Sequence, residues 1–321
     1  MSRPRIRVVV DNDFSGDPDG LVQLAHHALS PSVDLRLVIG SHLRPGDHFD
    51  PSDTTADNAA ELAREVLALA GRTDVPVLAG SDVGLADRAT PIRSAAAEAL
   101  VAEAMRTDVD SPLYVCAGAG LTEIASAWLI EPRIAERLTL VWIGGPEHAG
   151  LAEPPPGAMP IEYNLLIDVL AGSVVFGDAA VPIWQVPRDA YRQTLVTFAE
   201  LQLRMAEQGP LGARLFAALD GLRTQALRHG FDLGETYILG DNPLVLLTAL
   251  QSAFEPDPSS SRHVVRETPG ISADGQYTPA PGARPMRVYT QLDCRLMVED
   301  LFAKLQLHAR TPSGPPVGGT P

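Results

Sequence analysis

The sequence predicts an α/β fold: a mainly parallel central sheet with helices on both faces, built as a single domain. Three observations carry this. Short apolar, β-branched runs recur along the chain and alternate with helix-like stretches. Val8-Val9-Val10 and Leu37-Val38-Ile39 are apolar at consecutive positions, as in strands covered on both faces. The polar residues that could do chemistry cluster just after the runs, and parallel sheets bind ligands beyond the carboxyl ends of their strands.

In order, the first strand is the run Ile6-Arg7-Val8-Val9-Val10, and the apolar stretch Leu21 to Leu29 is a helix. Asp17 reads as its N-cap with Pro18 at the first helical position. Val33 to Ile39 is a second strand, ending at Gly40-Ser41. A polar loop, His42 to Ser52, leads into a helix running from Asp53-Thr54-Thr55 to about Ala70. Val75 to Ala79 reads as a short strand, Pro91 to Met105 as a helix, and Leu113 to Ala117 as a strand broken by Gly118-Ala119-Gly120. Thr122 to Ile130 is a helix and Leu138 to Ile143 another buried strand. The second half is more helical: Val169 to Phe176, a strand Pro182 to Val186, then helices over Thr194 to Glu207, Leu211 to Arg228 and Leu244 to Ala253. Residues 255–285 are rich in Pro, Ser and Gly and read as an irregular excursion, with a short hairpin pairing Val264 to Arg266 with Arg287 to Tyr289. Cys294 to Leu307 closes the domain, which spans residues 1–308. Residues 309–321 are expected to be a disordered tail.

Composition narrows the function. The net charge of −15 argues against nucleic acid or an anionic membrane surface as partner, since both need basic patches. No apolar run of about 18 residues is available to span a bilayer, and Asp11 interrupts the N-terminal run too early for a secretion signal. Two cysteines, Cys116 and Cys294, suit a reducing, cytoplasmic setting and exclude a disulfide scaffold.

The most informative stretch follows the first strand. Asp11, Asp13, Asp17 and Asp19 place four carboxylates within nine residues. Asp11 and Asp13 are two apart at the strand's end, so their side chains start on one face. The positive end of the following helix favours Asp17 and Asp19 ionised. Carboxylates this close repel, and a hard divalent cation such as Ca²⁺ or Mg²⁺ with oxygen ligands relieves the repulsion. Such a site orients a water beside a carboxylate that acts as general base.

With these residues in view, the chain resembles the inosine-uridine-preferring nucleoside hydrolase family, which opens with a strand, Asp-x-Asp and an acidic pair leading into a helix. Gly120-Leu121-Thr122 resembles the family loop whose threonine carbonyl ligates calcium. Glu131-Pro132-Arg133-Ile134 and Trp142-Ile143-Gly144-Gly145 resemble the segments that follow. Glu162-Tyr163-Asn164, with Asp168 beyond, is similar to the Glu-Phe-Asn segment that holds ribose hydroxyls, and Asp241-Asn242-Pro243-Leu244 is similar to the late segment supplying the last calcium ligand. The resemblance implies a calcium-dependent hydrolase of ribosides, a small-molecule substrate and a homodimer or homotetramer. It assigns Asp13 as the base, with Asp13, Asp19, the Thr122 carbonyl and Asp241 as metal ligands. Asp17, Glu162 and Asn164 fall on the ribose hydroxyls, together with Ser41, which stands where many members have asparagine. Asp11 and Asn242 support the ligands from behind.

Three departures bear on this. The acidic pair is split as Asp17-Pro18-Asp19-Gly20, so the roles of Asp17 and Asp19 can exchange. Either Asp241 or Asn242 can supply the late ligand. The family's late histidine is missing, which leaves Tyr237, His42, His48, Arg188 and Tyr191 as candidates for leaving-group protonation, while His26 and His27 read as structural. Two other readings compete. A non-catalytic sugar-binding relative could keep the metal and lose the chemistry. A haloacid-dehalogenase-like phosphatase also opens with a strand and Asp-x-Asp, but needs a lysine before its late acidic motif, and the sole lysine, Lys304, lies beyond every candidate motif.

Overall fold

A computed structural model describes residues 4–252, 254 and 259–311. The elements in chain order are β1 (Ile6–Asn12), α1 (Asp19–Ala28), β2 (Val33–Gly40), α2 (Thr55–Leu69), β3 (Val77–Ala79), α3 (Ala95–Ala104), β4 (Leu113–Ala117), α4 (Thr122–Ile130), β5 (Leu138–Ile143), α5 (Tyr163–Ile167), α6 (Val169–Gly177) and β6 (Ile183–Val186). There follow α7 (Arg188–Tyr191), β7 (Leu195–Thr197), α8 (Phe198–Leu201), α9 (Gly209–Arg228), β8 (Thr236–Ile238), α10 (Pro243–Thr248), β9 (Arg262–Glu267), β10 (Gly270–Ile271), β11 (Tyr277–Thr278), β12 (Pro285–Gln291) and α11 (Cys294–Arg310).

Eight strands form the main sheet in the order β3-β2-β1-β4-β5-β6-β12-β9. Every neighbouring pair is parallel except β12 with the edge strand β9. The period-2 geometry of a strand explains why Val8, Val9 and Val10 are apolar in succession. Val8 and Val10 of β1 pack into the core on one face of the sheet with Cys116 and Val141, while Val9 packs into the core on the other with Val115 and Leu140. The chain runs outward from β1 through β2 to β3, then returns to β4 on the other side of β1. The order therefore reverses between β1 and β4, and beyond their carboxyl ends a crevice opens.

Several boundaries differ from the sequence reading, each for a local reason. Pro18, rather than Asp17, precedes α1 and has no side-chain acceptor to cap it, while the Asp17 carboxylate accepts from the Tyr237 hydroxyl and, at 3.4 Å, from the Asp19 amide. Helix α3 starts at Ala95, where Ser94 accepts from the Ala97 amide at 2.9 Å and so fixes the start four residues after Pro91. The stretch expected as a helix from Thr194 begins instead as β7, whose Leu195-Val196-Thr197 pairs antiparallel with β8. Thr197 then caps α8, and a π-helical turn over Gln202–Ala206 follows. Helix α10 ends at Thr248, whose hydroxyl donates to the Leu244 carbonyl at 2.6 Å; Ala253 lies outside the described residues. The expected hairpin forms in register, Val264 opposite Val288, but it is longer than predicted, and the excursion before β12 also carries the β10–β11 pair. Helix α11 continues to Arg310, so Ala309 is helical rather than part of a tail; residues 312–321 lie outside the described residues.

The close packing of α2 on β2 depends on Gly40, the last residue of β2. A Cβ there would sit 2.7 Å from the Ala56 carbonyl oxygen and press on the Ala60 amide, both backbone atoms of α2 that cannot swing aside. Gly40→Ala is therefore expected to destabilise the fold by about 1–3 kcal/mol, the usual cost of overpacking. Urea denaturation measures it, and an unchanged midpoint would show that α2 is free to move away.

Candidate active site

β1 delivers its carboxylates to the crevice because its body is locked between two cores and its last residues project beyond the sheet. Asp11 pairs across to Ala117 and Asn12 to Gly40, and the Gly118 amide donates to the Asp11 carbonyl at 3.0 Å. The chain then turns at Asp13, whose carbonyl accepts from Gly16, and enters α1 at Asp19. Gly118, just past β4, must be glycine: a Cβ would lie 2.5 Å from Asn12 Nδ2 and 2.8 Å from Asp241 Oδ2. From the far end of the chain, the Ile238-to-α10 connection brings in Asp241.

These segments enclose a cavity of about 270 Å³. Asp13, Asp17, Asp19 and Asp241 line it together with Glu162 and Asn164, and Gly118, Tyr163 and Tyr191 complete much of the wall. Six residues read from the sequence as site residues thus meet in one place, though they come from three stretches of chain. Asp13, Asp19 and Asp241 are each less than a tenth exposed. The Asp241 amide donates to Asp19 Oδ2 at 3.0 Å, and Asn12 Nδ2 donates to Asp241 Oδ2 at 2.8 Å. Asp13 Oδ2 is buried without a hydrogen-bond partner. Glu162 accepts from the amides of Gly145 (2.7 Å) and Leu165 (3.1 Å) and from the Tyr191 hydroxyl (2.9 Å), which pins it as the cap of α5. Asn164 donates to the Ile143 carbonyl at 2.9 Å, leaving its amide oxygen turned to other use.

Other expected site residues lie elsewhere. Ser41 does not line the cavity; its hydroxyl is spent on Asp11, so it acts on the support behind the site rather than on a ligand. Thr122 is also outside the wall. Its hydroxyl donates to Asp168 Oδ2 at 2.8 Å and faces His42 Nε2 at 3.0 Å, while Gly118 occupies the cavity position expected of it. Of the choices left open by the sequence, Asp241 lines the cavity, whereas Asn242 is fully buried behind it and bonded to His26 at 3.2 Å. Asp17 and Asp19 both line it. Among the candidate proton donors, His42 faces Thr122 and Arg188 is ion-paired with Glu147 at 2.7 Å, so neither reaches the cavity. Tyr191 and His48 line it, and Tyr237 reaches its edge through Asp17. His26 and His27 are structural as expected: His26 pairs with Asp300 at 2.8 Å, and His27 bridges Gln23 and Thr248. Lys304 is bound to Asp300 and Ser30, far from any role beside an Asp-x-Asp nucleophile.

Sequence reasoning missed Asn12, Gly118 and Phe49. Asn12 carried a readable signal, since a polar residue inside a buried acidic strand end needs partners. Phe49 sat in a polar loop and carried none.

The electrostatics test whether the residues fit a cation. Burial holds Asp13 and Asp19 well above the usual carboxylate range, and repulsion from Asp241 and Asp17 adds to it. Asp241 is pushed up to about 7 by burial despite the hydrogen bond from Asn12. Among the described residues no three His, Cys, Asp or Glu side chains converge on a single point; the carboxylates stand around the wall. The donor set is nevertheless all oxygen and anionic, with an unpartnered Asp13 oxygen facing its repelling neighbours, and this suits a hard divalent ion.

The sign of the pH effect follows. An acid whose pKa rises on folding binds its proton more tightly in the folded state, so stability falls as pH climbs from its unfolded value, 3.8, through its folded one. For Asp241 that window closes at about 7 and for Asp11 at about 8. His26, lowered to about 4 by burial, works the other way between 4 and 6.5 and partly cancels the effect there. Above 6.5 only the acids remain. In chelator, the melting temperature is expected to fall between pH 6.5 and 8, and calcium should raise it more at pH 8 than at pH 6.5. A flat profile, or equal rescue at both, would contradict this electrostatic picture.

Comparison with known proteins agrees with the architecture. A family model described as inosine-uridine preferring nucleoside hydrolase matches residues 8–298. The inosine-uridine preferring nucleoside hydrolase of Leishmania major is 26% identical over 232 residues, and the match spans 63% of this chain and 66% of that protein. A plant nucleoside hydrolase superposes with a TM-score of 0.70 at 20% identity, covering 94% of this chain and 99% of that one. A purine-preferring ribonucleoside hydrolase from Gardnerella vaginalis gives 0.66 at 16% identity over 95% and 99%. At these identities the structural likeness is one of fold. Matched by the family model along almost its whole described length, the chain belongs to the inosine-uridine preferring nucleoside hydrolase family.

Proposed function

We propose that this protein hydrolyses the N-glycosidic bond of a ribonucleoside or related riboside, releasing base and ribose, with calcium bound among Asp13, Asp19 and Asp241. The observation that carries this reading is the meeting of those three carboxylates with Asp17, Glu162 and Asn164 around one cavity of about 270 Å³. A carbonyl of the loop after β4 completes the ligand set; Gly118 rather than Thr122 is the residue at the wall. Bound there, calcium would supply Lewis acidity, holding sugar hydroxyls and making a water easier to deprotonate.

The remaining chemistry belongs to side chains. Asp13 takes a proton from the attacking water as its oxygen bonds to the anomeric carbon. The carbon–nitrogen bond breaks with its electron pair leaving on the base, and the sugar passes through an oxocarbenium-like state. The anionic wall stabilises that developing positive charge. Asp17, Glu162 and the Asn164 amide oxygen accept from ribose hydroxyls, and the Tyr191 and backbone donors to Glu162 hold its carboxylate in place. His48 lies on the wall with its side chain 66% exposed, where it can exchange protons with solvent and hand one to the departing base. Tyr191 and Tyr237, whose hydroxyls donate to the Glu162 and Asp17 carboxylates, lack that freedom. The reading includes a homodimer or homotetramer, which sedimentation can measure.

Asp13→Asn tests the reading. It is expected to lower hydrolysis of a purine, pyrimidine and nicotinamide riboside panel by about 10²–10⁴-fold, measured as free base and reducing sugar. Chelation should abolish turnover and calcium restore it. Ribose binding without release above the Asp13→Asn level from any riboside would make the protein a sugar-binding relative that has lost catalysis.

A further inference from the structure

The ribose-sized cavity does not end at its own rim. It adjoins a second cavity of about 860 Å³, and Asp17, His48, Phe49 and Ile238 belong to the walls of both. The two differ in chemistry. The first is ringed by carboxylates. The second is walled by Leu195 of β7, Leu222 and Ala226 of α9, and Phe231 and Leu233 in the turn that leads to β8. Tyr237 also lines it, and because its hydroxyl is committed to Asp17, the ring is what it adds here. Leu195 is 55% exposed and Phe231 65% exposed, so this wall holds large apolar side chains against water.

We propose that the leaving group accepted by this protein is a heteroaromatic base carrying a large apolar substituent, with the substituent lodged in the second cavity. The proposal rests on the ribosyl-hydrolase reading of the first cavity and adds to it the class of aglycone. Size and continuity support it. A cavity of about 150 Å³ is enough to hold benzene, so 860 Å³ leaves most of the space empty around an unsubstituted base. The four residues common to both walls form the junction through which a substituent on a sugar held by the carboxylates would reach the apolar wall. Covering Leu195 and Phe231 with an apolar group removes their surface from water, a gain that a bare polar base cannot provide. The polar groups at this wall, Gln225, His229, Asp232 and Thr236, do not form a charged cluster that would select a phosphorylated aglycone.

The test compares kcat/KM for adenosine with that for N6-benzyladenosine, which differ only in an apolar ring on the base. The wild-type protein is expected to prefer the benzyl compound by at least about tenfold, the scale of discrimination that apolar pockets reach. Ala226→Trp, which fills the cavity from α9, should bring the ratio near or below one, and Leu195→Ser, at an exposed position that tolerates change, should lower it by a smaller factor. Hydrolysis of adenosine with no preference for the benzyl compound overturns the proposal and leaves ribosyl hydrolysis standing. Hydrolysis of neither above the Asp13→Asn level overturns both. A preference that survives both variants undiminished places the substituent elsewhere and overturns the assignment of this cavity.

Discussion

The structure depends on one electrostatic constraint: several carboxylates are held together in a poorly solvated crevice with no lysine or arginine among the described residues of its wall. At an effective dielectric of about 20, two unit charges about 4 Å apart interact by about 4 kcal/mol, so the cluster cannot ionise freely without a counter-charge. The carboxylates cannot retreat either. Asp11 and Asn12 end a strand packed between two cores, Asp19 begins a helix buried along its length, and Asp241 is set by the chain leading into α10. The fold thus creates an anionic cavity where the parallel strand order reverses, between β1 and β4, and the proposed cation and cationic transition state both answer the same field.

The late half of the site is joined to the early half by side chains rather than by the sheet. Asn12 donates to Asp241 and to Gln23 of α1, Gln23 meets His27, and His27 reaches Thr248 of α10. In parallel, Asn242 bonds His26, which pairs with Asp300 of α11. Burial keeps both histidines neutral, which is what lets each ring donate from one nitrogen and accept at the other. Helix α1 therefore carries Asp19 on its first turn and, on later turns, the groups that orient Asp241. The two histidines next to a metal-like cluster are scaffold, and their geometry explains why.

Much of this was legible in the sequence. Strands buried on both faces announce themselves by consecutive apolar residues, and Val8-Val9-Val10 ending in Asp11-Asn12-Asp13 located the sheet and the strand end at which the carboxylate-lined cavity lies. Glu162 and Asn164 were placed on the sugar side, and the structure brings them to the same wall. Failures arose where a residue type serves two geometries equally well. Thr122 opens a helix near the crevice, but a threonine at a helix start says nothing of which neighbouring carbonyl faces the cavity, and the residue at the wall is Gly118. Ser41 has the right polarity and the right strand end, yet its short side chain is satisfied by Asp11. The second cavity was invisible because its walls come from β7, α9 and β8. The Leu195-Val196-Thr197 run forms a strand only because Thr236 to Ile238 lies opposite it, about forty residues away in sequence.

The central claim is that the Asp13, Asp19 and Asp241 carboxylates share one calcium ion on which ribose is held. Anomalous diffraction from crystals grown with calcium and ribose tests it most directly. The account predicts a single strong peak enclosed by those three carboxylates and the loop after β4, with ribose density reaching Glu162 and Asn164. Ribose density in the cavity with no ion beside Asp13 and Asp241, or an ion bound away from them, would contradict it.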